Sequence, residues 1–267
     1  MAVNVLIMGD THGGAAGGLL PPSYWSEQLK VMQSLAYGWW LEAITEFGPW
    51  DVGLFTGDAT DGEGKKGTMD TVIPDTLEQA ASQEEIYAAP GIEKQNMYFV
   101  RGTPFHSSGT YNYEDPLAKA LGASIENEQL VSILGLKLHL RHALGRSDTA
   151  YGQGTPLFRE SIRDLVDATL SDQEPADIVI RGHVHYSCRM TIGKRTAISA
   201  PCMEYPDSVF GRTCRGMYYD MGIGKLVVRS STDWEYQPIL MPLKVVKRRE
   251  YKEICSGEEF SSAEGSK

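Results

Sequence analysis

Five strand-sized apolar runs each lead straight into Asp, His or Gly-His, and no other feature constrains the fold as much. Residues 3–9 run into Gly9-Asp10-Thr11-His12, and residues 51–57 into Asp58-Ala59-Thr60-Asp61-Gly62. Residues 97–101 precede Gly102-Thr103-Pro104-Phe105-His106. Residues 130–142 break near Gly135, as a hairpin would, and end on His142; residues 177–181 precede Gly182-His183-Val184-His185. Short apolar runs bounded by turn residues are the pattern of buried strands.

Helical periodicity separates these runs. Between 26 and 47 the apolar residues Leu29, Met32, Ala36, Trp39, Trp40, Ala43, Ile44 and Phe47 recur at spacings of three and four, and Gly48-Pro49 ends the pattern. Residues 75–89 and 116–122 predict two further helices. Residues 156–171 predict a fourth, on which Leu157, Ile162, Leu165, Val166 and Leu170 can share one face. Residues 62–70 read as a loop, and 187–240 hold short β-prone runs without a helix. The expectation is an α/β fold, a sandwich of sheets with helices outside, in one domain over 1–254. The small, polar stretch 255–267 is expected to be disordered.

Composition removes several classes. Lys and Arg number 25 against 35 Asp and Glu, a net charge of −10, which opposes a surface built for duplex nucleic acid. The basic cluster Lys244, Lys247, Arg248, Arg249 and Lys252 leaves a local phosphate contact open, although a solvated strand or tail is the plainer reading. No run approaches the roughly 20 apolar residues of a membrane span. Cys188, Cys202, Cys214 and Cys255 have neither zinc-finger nor disulfide-framework spacing, so reduced thiols in a cytoplasmic protein are expected.

The strand ends carry the chemistry, because ligands of α/β sheets bind there. Asp10 and His12, two apart, would share one side of an extended chain and could share a metal ion. Asp58 occupies the position after its strand that Asp10 occupies after the first, and its two oxygens could bridge two cations. His183 and His185 form a His-x-His pair suited to a metal. Leu136, Leu138 and Leu140 put His142 on the core-facing phase, and His139 on the opposite one as a surface or inter-sheet residue.

The order D-x-H, G-D, G-T-x-x-H, lone His and G-H-x-H resembles the calcineurin-like metallophosphoesterase superfamily over residues 10–185, about two thirds of the chain. GDTHGG, GDATDG and VRGT with its following His resemble, more loosely, phage- and prophage-type members. The resemblance implies a four-layer α/β/β/α sandwich of two mixed β-sheets flanked by helices. It implies two divalent metal ions, Mn first, with Fe, Zn or Ni as substitutes. Asp10, His12 and His185 would hold one ion, His142 and His183 the other, and Asp58 would bridge them. His106 would be the catalytic acid. The family's Asn after the third strand is absent; Thr103 stands there and offers only a hydroxyl.

The implied activity is hydrolysis of a phosphomonoester or phosphodiester by a metal-bridging hydroxide, with a phosphorylated substrate as partner and no membrane. A nuclease acting on nucleic acid is a subclass of this reading. A metal-binding scaffold that has lost turnover is the alternative. Arg101, Asp61 and Thr103 are candidate metal or substrate residues; Arg101, Arg141 and Arg181 could equally form ion pairs. Specificity is expected from loops 13–25, 59–74, 107–115 and 143–155, which contain Tyr24, Trp25, Tyr111, Tyr113 and Tyr151. A phage-encoded protein would act in the host cytoplasm.

Overall fold

In chain order the elements are β1 (Val3–Met8), α1 (Lys30–Phe47), β2 (Val52–Phe55), α2 (Thr76–Ala88), β3 (Met97–Val100), α3 (Glu114–Leu121), β4 (Ser124–Glu126), β5 (Glu128–Ile133), β6 (Leu136–Arg141), α4 (Gly154–Leu170), β7 (Ile178–Arg181), β8 (Cys188–Ile192), β9 (Arg195–Ser199), β10 (Gly222–Val228) and β11 (Trp234–Leu240). The computed structural model describes residues 2–25, 27, 29–63, 71–106, 112–147, 149–205 and 219–242. The basic cluster at 244–252, the expected tail at 255–267 and Tyr111 lie outside them.

Two mixed sheets form the centre. The first has the order β11-β10-β1-β2-β3-β4, with β1 to β4 parallel and β10 and β11 antiparallel. The second has the order β5-β6-β7-β9-β8, parallel in its middle and antiparallel at both edges. Strand β1 shows how they stack. Leu6 and Met8 point into a core made with Ala36, Trp40, Ala43 and Ile44 of α1, Ile86 and Tyr87 of α2, and Leu117 of α3. Val5 and Ile7, on the other face, meet Leu136, Leu138, Leu140, Ile178, Ile180 and Ile198 of the second sheet. A third core joins Val179 and Ala197 to Leu157 of α4. Burial on both faces explains why β2, β3 and most of β1 are apolar along their length, whereas β6, with Lys137, His139 and Arg141, alternates.

The expected helices are present with shifted ends. Helix α2 begins where Asp75 caps it, its side chain accepting the Leu77 and Glu78 amide N–H groups at 2.8 and 3.0 Å. The hairpin of β5 and β6 turns through Leu134 and Gly135, both at positive φ, the geometry that two-residue hairpin loops require. Strand β4 was not expected: it has three residues and half-exposed or exposed side chains, too little to give a pattern. No helix among the described residues is long and apolar enough to cross a membrane.

Two expectations on the second sheet are corrected. Helix α4 packs through Leu157, Ser161, Asp164 and Ala168, while Ile162, Leu165, Val166 and Leu170 face solvent. His139 is neither superficial nor between the sheets; it is buried on the outer face, beneath α4. Its Nδ1 lies 2.6 Å from Asp164 Oδ1 and its Nε2 3.2 Å from Glu128 Oε2. Asp164 also pairs with Arg195 and accepts the Ala176 N–H at 3.1 Å.

Burial opposes the Asp164 charge, but the His139 hydrogen bond, the His139 charge and the Arg195 charge outweigh it, and the carboxyl lies below its ordinary 3.8. A depressed carboxyl contributes stability above its unfolded value and loses it as pH falls through the folded one. Urea midpoints of the wild type should therefore fall more steeply than those of Asp164→Asn as the pH drops below about 4. Parallel curves for the two proteins would remove Asp164 from the acid transition.

Candidate metal centre

The sandwich brings the carboxyl ends of β1, β2, β3, β6 and β7 to one edge. The chain after β1, β2 and β7 leaves the extended state at once. Asp10, His12, Asp58, His183 and His185 all have positive φ, between 45° and 74°. Asp and His tolerate this region better than most residues, and strain of this kind collects at functional sites. It also corrects the reasoning for Asp10 and His12: they are not on an extended segment, and the left-handed turns bring them together.

Three compact groups result. Asp10, His12 and His185 form the first, Asp58, His142 and His183 the second, and His12, Asp61 and His106 a third that shares His12 with the first; within each, one ligand atom per residue lies within 4.8 Å of the others. In the first, His185 Nε2 is 3.3 Å from both Asp10 Oδ1 and His12 Nε2. In the second, His142 Nε2 is 2.9 Å from Asp58 Oδ2. The first two groups are linked, because the His183 backbone N–H donates to both Asp10 oxygens at 3.0 and 3.1 Å.

Hydrogen bonds orient these nitrogens. The Nδ1–H of His142 donates to the Thr56 carbonyl at 2.6 Å, leaving the Nε2 lone pair facing the Asp58 carboxylate. His142 Nε2 is buried and has no hydrogen-bond partner; His12 Nδ1 is in the same condition, 3.5 Å from Asp61 Oδ1. Two acceptors at contact distance need a proton or a metal cation between them. On the far side of His185, Nδ1 lies 3.1 Å from the Tyr219 hydroxyl and 3.2 Å from Glu204 Oε2, an outer carboxylate of the kind that fixes ligand imidazoles. The donor set fits divalent ions such as Mn, Fe or Zn.

Electrostatics agree. Burial alone would drive His142 towards neutrality, but Asp58, Asp10 and the Thr56 carbonyl reverse this and raise it to about 9. Burial likewise opposes the charge on His12, and Glu204, Asp61 and Asp58 raise it to about 9. Burial also disfavours the Asp58 carboxylate, yet His142, His106 and His12 hold it well below the usual range. The potential that draws protons onto these imidazoles is the one that would attract a divalent cation.

Thr103 directs both its donors to Asp58: its amide N–H lies 2.7 Å from Oδ1, and its hydroxyl 3.3 Å from each oxygen. Gly102, just before it, approaches Asp58 so closely that a Cβ would fall on Oδ1. His106 donates Nδ1–H to the Asp61 carbonyl at 2.6 Å, and its Nε2 lies 3.8 Å from Asp58 Oδ2. The Asp61 carboxylate stands 3.6 Å from His106 Nδ1 as well as beside His12.

No family model matches the chain, and no curated protein matches it. Solved structures do. An archaeal phosphodiesterase is similar at a TM-score of 0.47 and 14% identity, over 90% of this chain and 100% of that one. A conserved Streptococcus pneumoniae protein, predicted to be a phosphoesterase, is similar at 0.42 and 13%, over 91% and 94%. Vacuolar Protein Sorting 29 from Cryptosporidium parvum is similar at 0.46 and 14%, over 90% and 98%.

The arginines lie apart from the first two groups. Arg101 binds Asp115 at 2.9 Å, Arg181 is buried on Glu160 at 3.0 Å, and Arg141 lies 3.8 Å from Glu128. Among the loop aromatics, Trp25 donates to the Leu20 carbonyl, Tyr113 is buried with its hydroxyl on Glu63, and Tyr151 is exposed.

Glu114, on the first turn of α3, was missed. Its Oε1 accepts the Ala59 N–H and its Oε2 the Gly102 N–H, each at 2.6 Å. One buried carboxylate thus joins the loops after β2 and β3. Burial and the nearby Asp58 raise it to about 7, against the pull of the two amides. Glu204 and Tyr219 were missed as well. All three lie far in sequence from the residues they support, and nothing local marks them.

Proposed function

We propose that the chain is a metal-dependent phosphoesterase that uses two divalent ions. The observation that carries this reading is Asp58, whose buried carboxylate lies against the His142 nitrogen and is held by Thr103, in one Asp/His group beside a second of matching composition. Asp10, His12 and His185 would hold one ion, His142 and His183 the other, with Asp58 common to both. Bound divalent ions would polarise a phosphoryl oxygen and lower the pKa of water.

The chain's own residues supply the rest. Thr103 and Gly102 keep the Asp58 oxygens in one orientation. His106 has its Nδ1 proton fixed by the Asp61 carbonyl, so the nitrogen it turns towards Asp58 is Nε2. In this reading Nε2–H is the proton given to a leaving alkoxide. Thr103 serves Asp58 in this reading and is not counted among the residues that would hold the second ion.

His106→Gln should leave metal binding unchanged. It should slow hydrolysis of an alkyl phosphodiester about 100-fold while barely slowing that of a 4-nitrophenyl ester, whose leaving group needs no proton. Equal slowing of both would remove His106 as the acid.

The reading is tested on metal-stripped full chain, with Mn²⁺ restored, against a chromogenic phosphodiester and the matched monoester. Metal-dependent turnover supports it, and the preferred ester separates phosphodiesterase from phosphatase. Two bound ions without turnover on these or on single-stranded DNA would favour the scaffold.

A further inference from the structure

Helix α4 is amphipathic in the reverse sense: its apolar face looks outward. Leu157, Ser161, Asp164 and Ala168 meet the second sheet, a largely small and polar set. Phe158, Ile162, Leu165, Val166 and Leu170 are between 39% and 81% exposed. Their spacing of 4, 3, 1 and 4 makes one continuous stripe over about three turns. Scattered exposed apolar residues need no explanation, but a contiguous stripe along one helix marks an interaction surface.

The charges beside the stripe say what would cover it. Arg159 and Arg163 lie in the first half of the helix and Asp167 in the second, with Asp172 just past its end. At 100° per residue, Arg159, Arg163 and Asp167 all fall on one flank of the stripe; the opposite flank turns towards Ser161 and the sheet. Arg163 and Asp167 lie only 3.8 Å apart within the helix and are about 60% exposed, so both remain available at the surface. When two copies of a helix pack antiparallel across a two-fold axis, a flank meets the same flank of the other copy in reverse order. The basic half then faces the acidic half, twice. A parallel pair would have no such matching.

We propose that α4 is a self-association surface, and that two copies of the chain pair through antiparallel α4 helices. The stripe is self-complementary in shape and in charge, as an isologous interface must be. One helix pair is smaller than a standard protein interface, so the dimer should be reversible, dissociating in the micromolar range. It lies on the outer face of the second sheet and leaves the Asp/His groups at the strand ends uncovered.

Sedimentation equilibrium of the full chain tests this. The wild type should form dimers at tens of micromolar, and Ile162→Glu with Val166→Glu should weaken association at least tenfold. The charge order is tested separately. Arg159→Asp with Arg163→Asp makes one all-acidic flank, and Asp167→Arg makes one all-basic flank. Each variant alone should be monomeric, and their equimolar mixture should restore a 1:1 dimer, which also shows that both have folded. A monomeric wild type would overturn the proposal, whether the stripe is covered by residues 243–267 or by a different protein. So would a dimer that survives the glutamates, or a mixture of the charge variants that stays monomeric.

Discussion

Asp58→Asn should lower metal-dependent turnover on the order of 10³-fold or more, and bound metal should fall with it. The size follows from the several kcal/mol that divalent ions contribute to a phosphoryl transition state. The amide keeps the shape of the carboxylate but not its charge, and only the charge can be shared between two cations. The fold should survive. Asparagine keeps an oxygen that can accept the Thr103 N–H, but the metal-free variant loses the pairing of a protonated His142 with the Asp58 carboxylate. It should therefore stay folded and melt somewhat below the metal-free wild type. Metal content after dialysis, hydrolysis rate and melting temperature, measured together, check this. A folded variant that keeps full metal and turnover would remove Asp58 from the centre.

Glu114→Gln should produce the second large effect, on stability first. The carboxylate accepts two buried backbone N–H groups, one on each oxygen. An amide has one oxygen, so its NH₂ must face one of those donors. Leaving a buried donor unmet costs about 1–3 kcal/mol, and the opposed NH₂ adds to it. For a chain of this size that lowers the melting temperature by roughly 5–10 °C. The residues that lose their anchor, Ala59 and Gly102, adjoin Asp58 and Thr103, so turnover should fall as well. Differential scanning calorimetry checks the first effect and the metal-restored assay the second. An unchanged melting temperature would show that water replaces the carboxylate there.

The strand ends of the site were legible because each pairs a local pattern with a chemically distinctive residue. An apolar run predicts a buried strand, and an Asp or His just after it predicts where that side chain must lie. The layers were legible for a related reason: β1, β2 and β3, buried on both faces, are almost wholly apolar. The supporting residues were not. Glu114, Glu204 and Tyr219 act on groups that only the folded topology brings near, and a Glu on the first turn of a helix is ordinary. Helix α4 misled in a more instructive way. Leu157 does not share a face with Ile162, Leu165, Val166 and Leu170: it alone of the five packs inward. Asp164, with His139 and Arg195, holds the polar side inward and turns Ile162, Leu165 and Val166 to solvent. The turns at Asp10 and His12 were likewise invisible, because positive φ leaves little trace when the residue is not glycine.

The most direct test of a two-ion centre joined by Asp58 is a Mn²⁺ titration of the metal-free chain, followed by electron paramagnetic resonance. Two ions should bind per chain, and their spectrum should show magnetic coupling through a shared ligand. A single bound ion, or two that give only the six-line signal of isolated Mn²⁺, would contradict it.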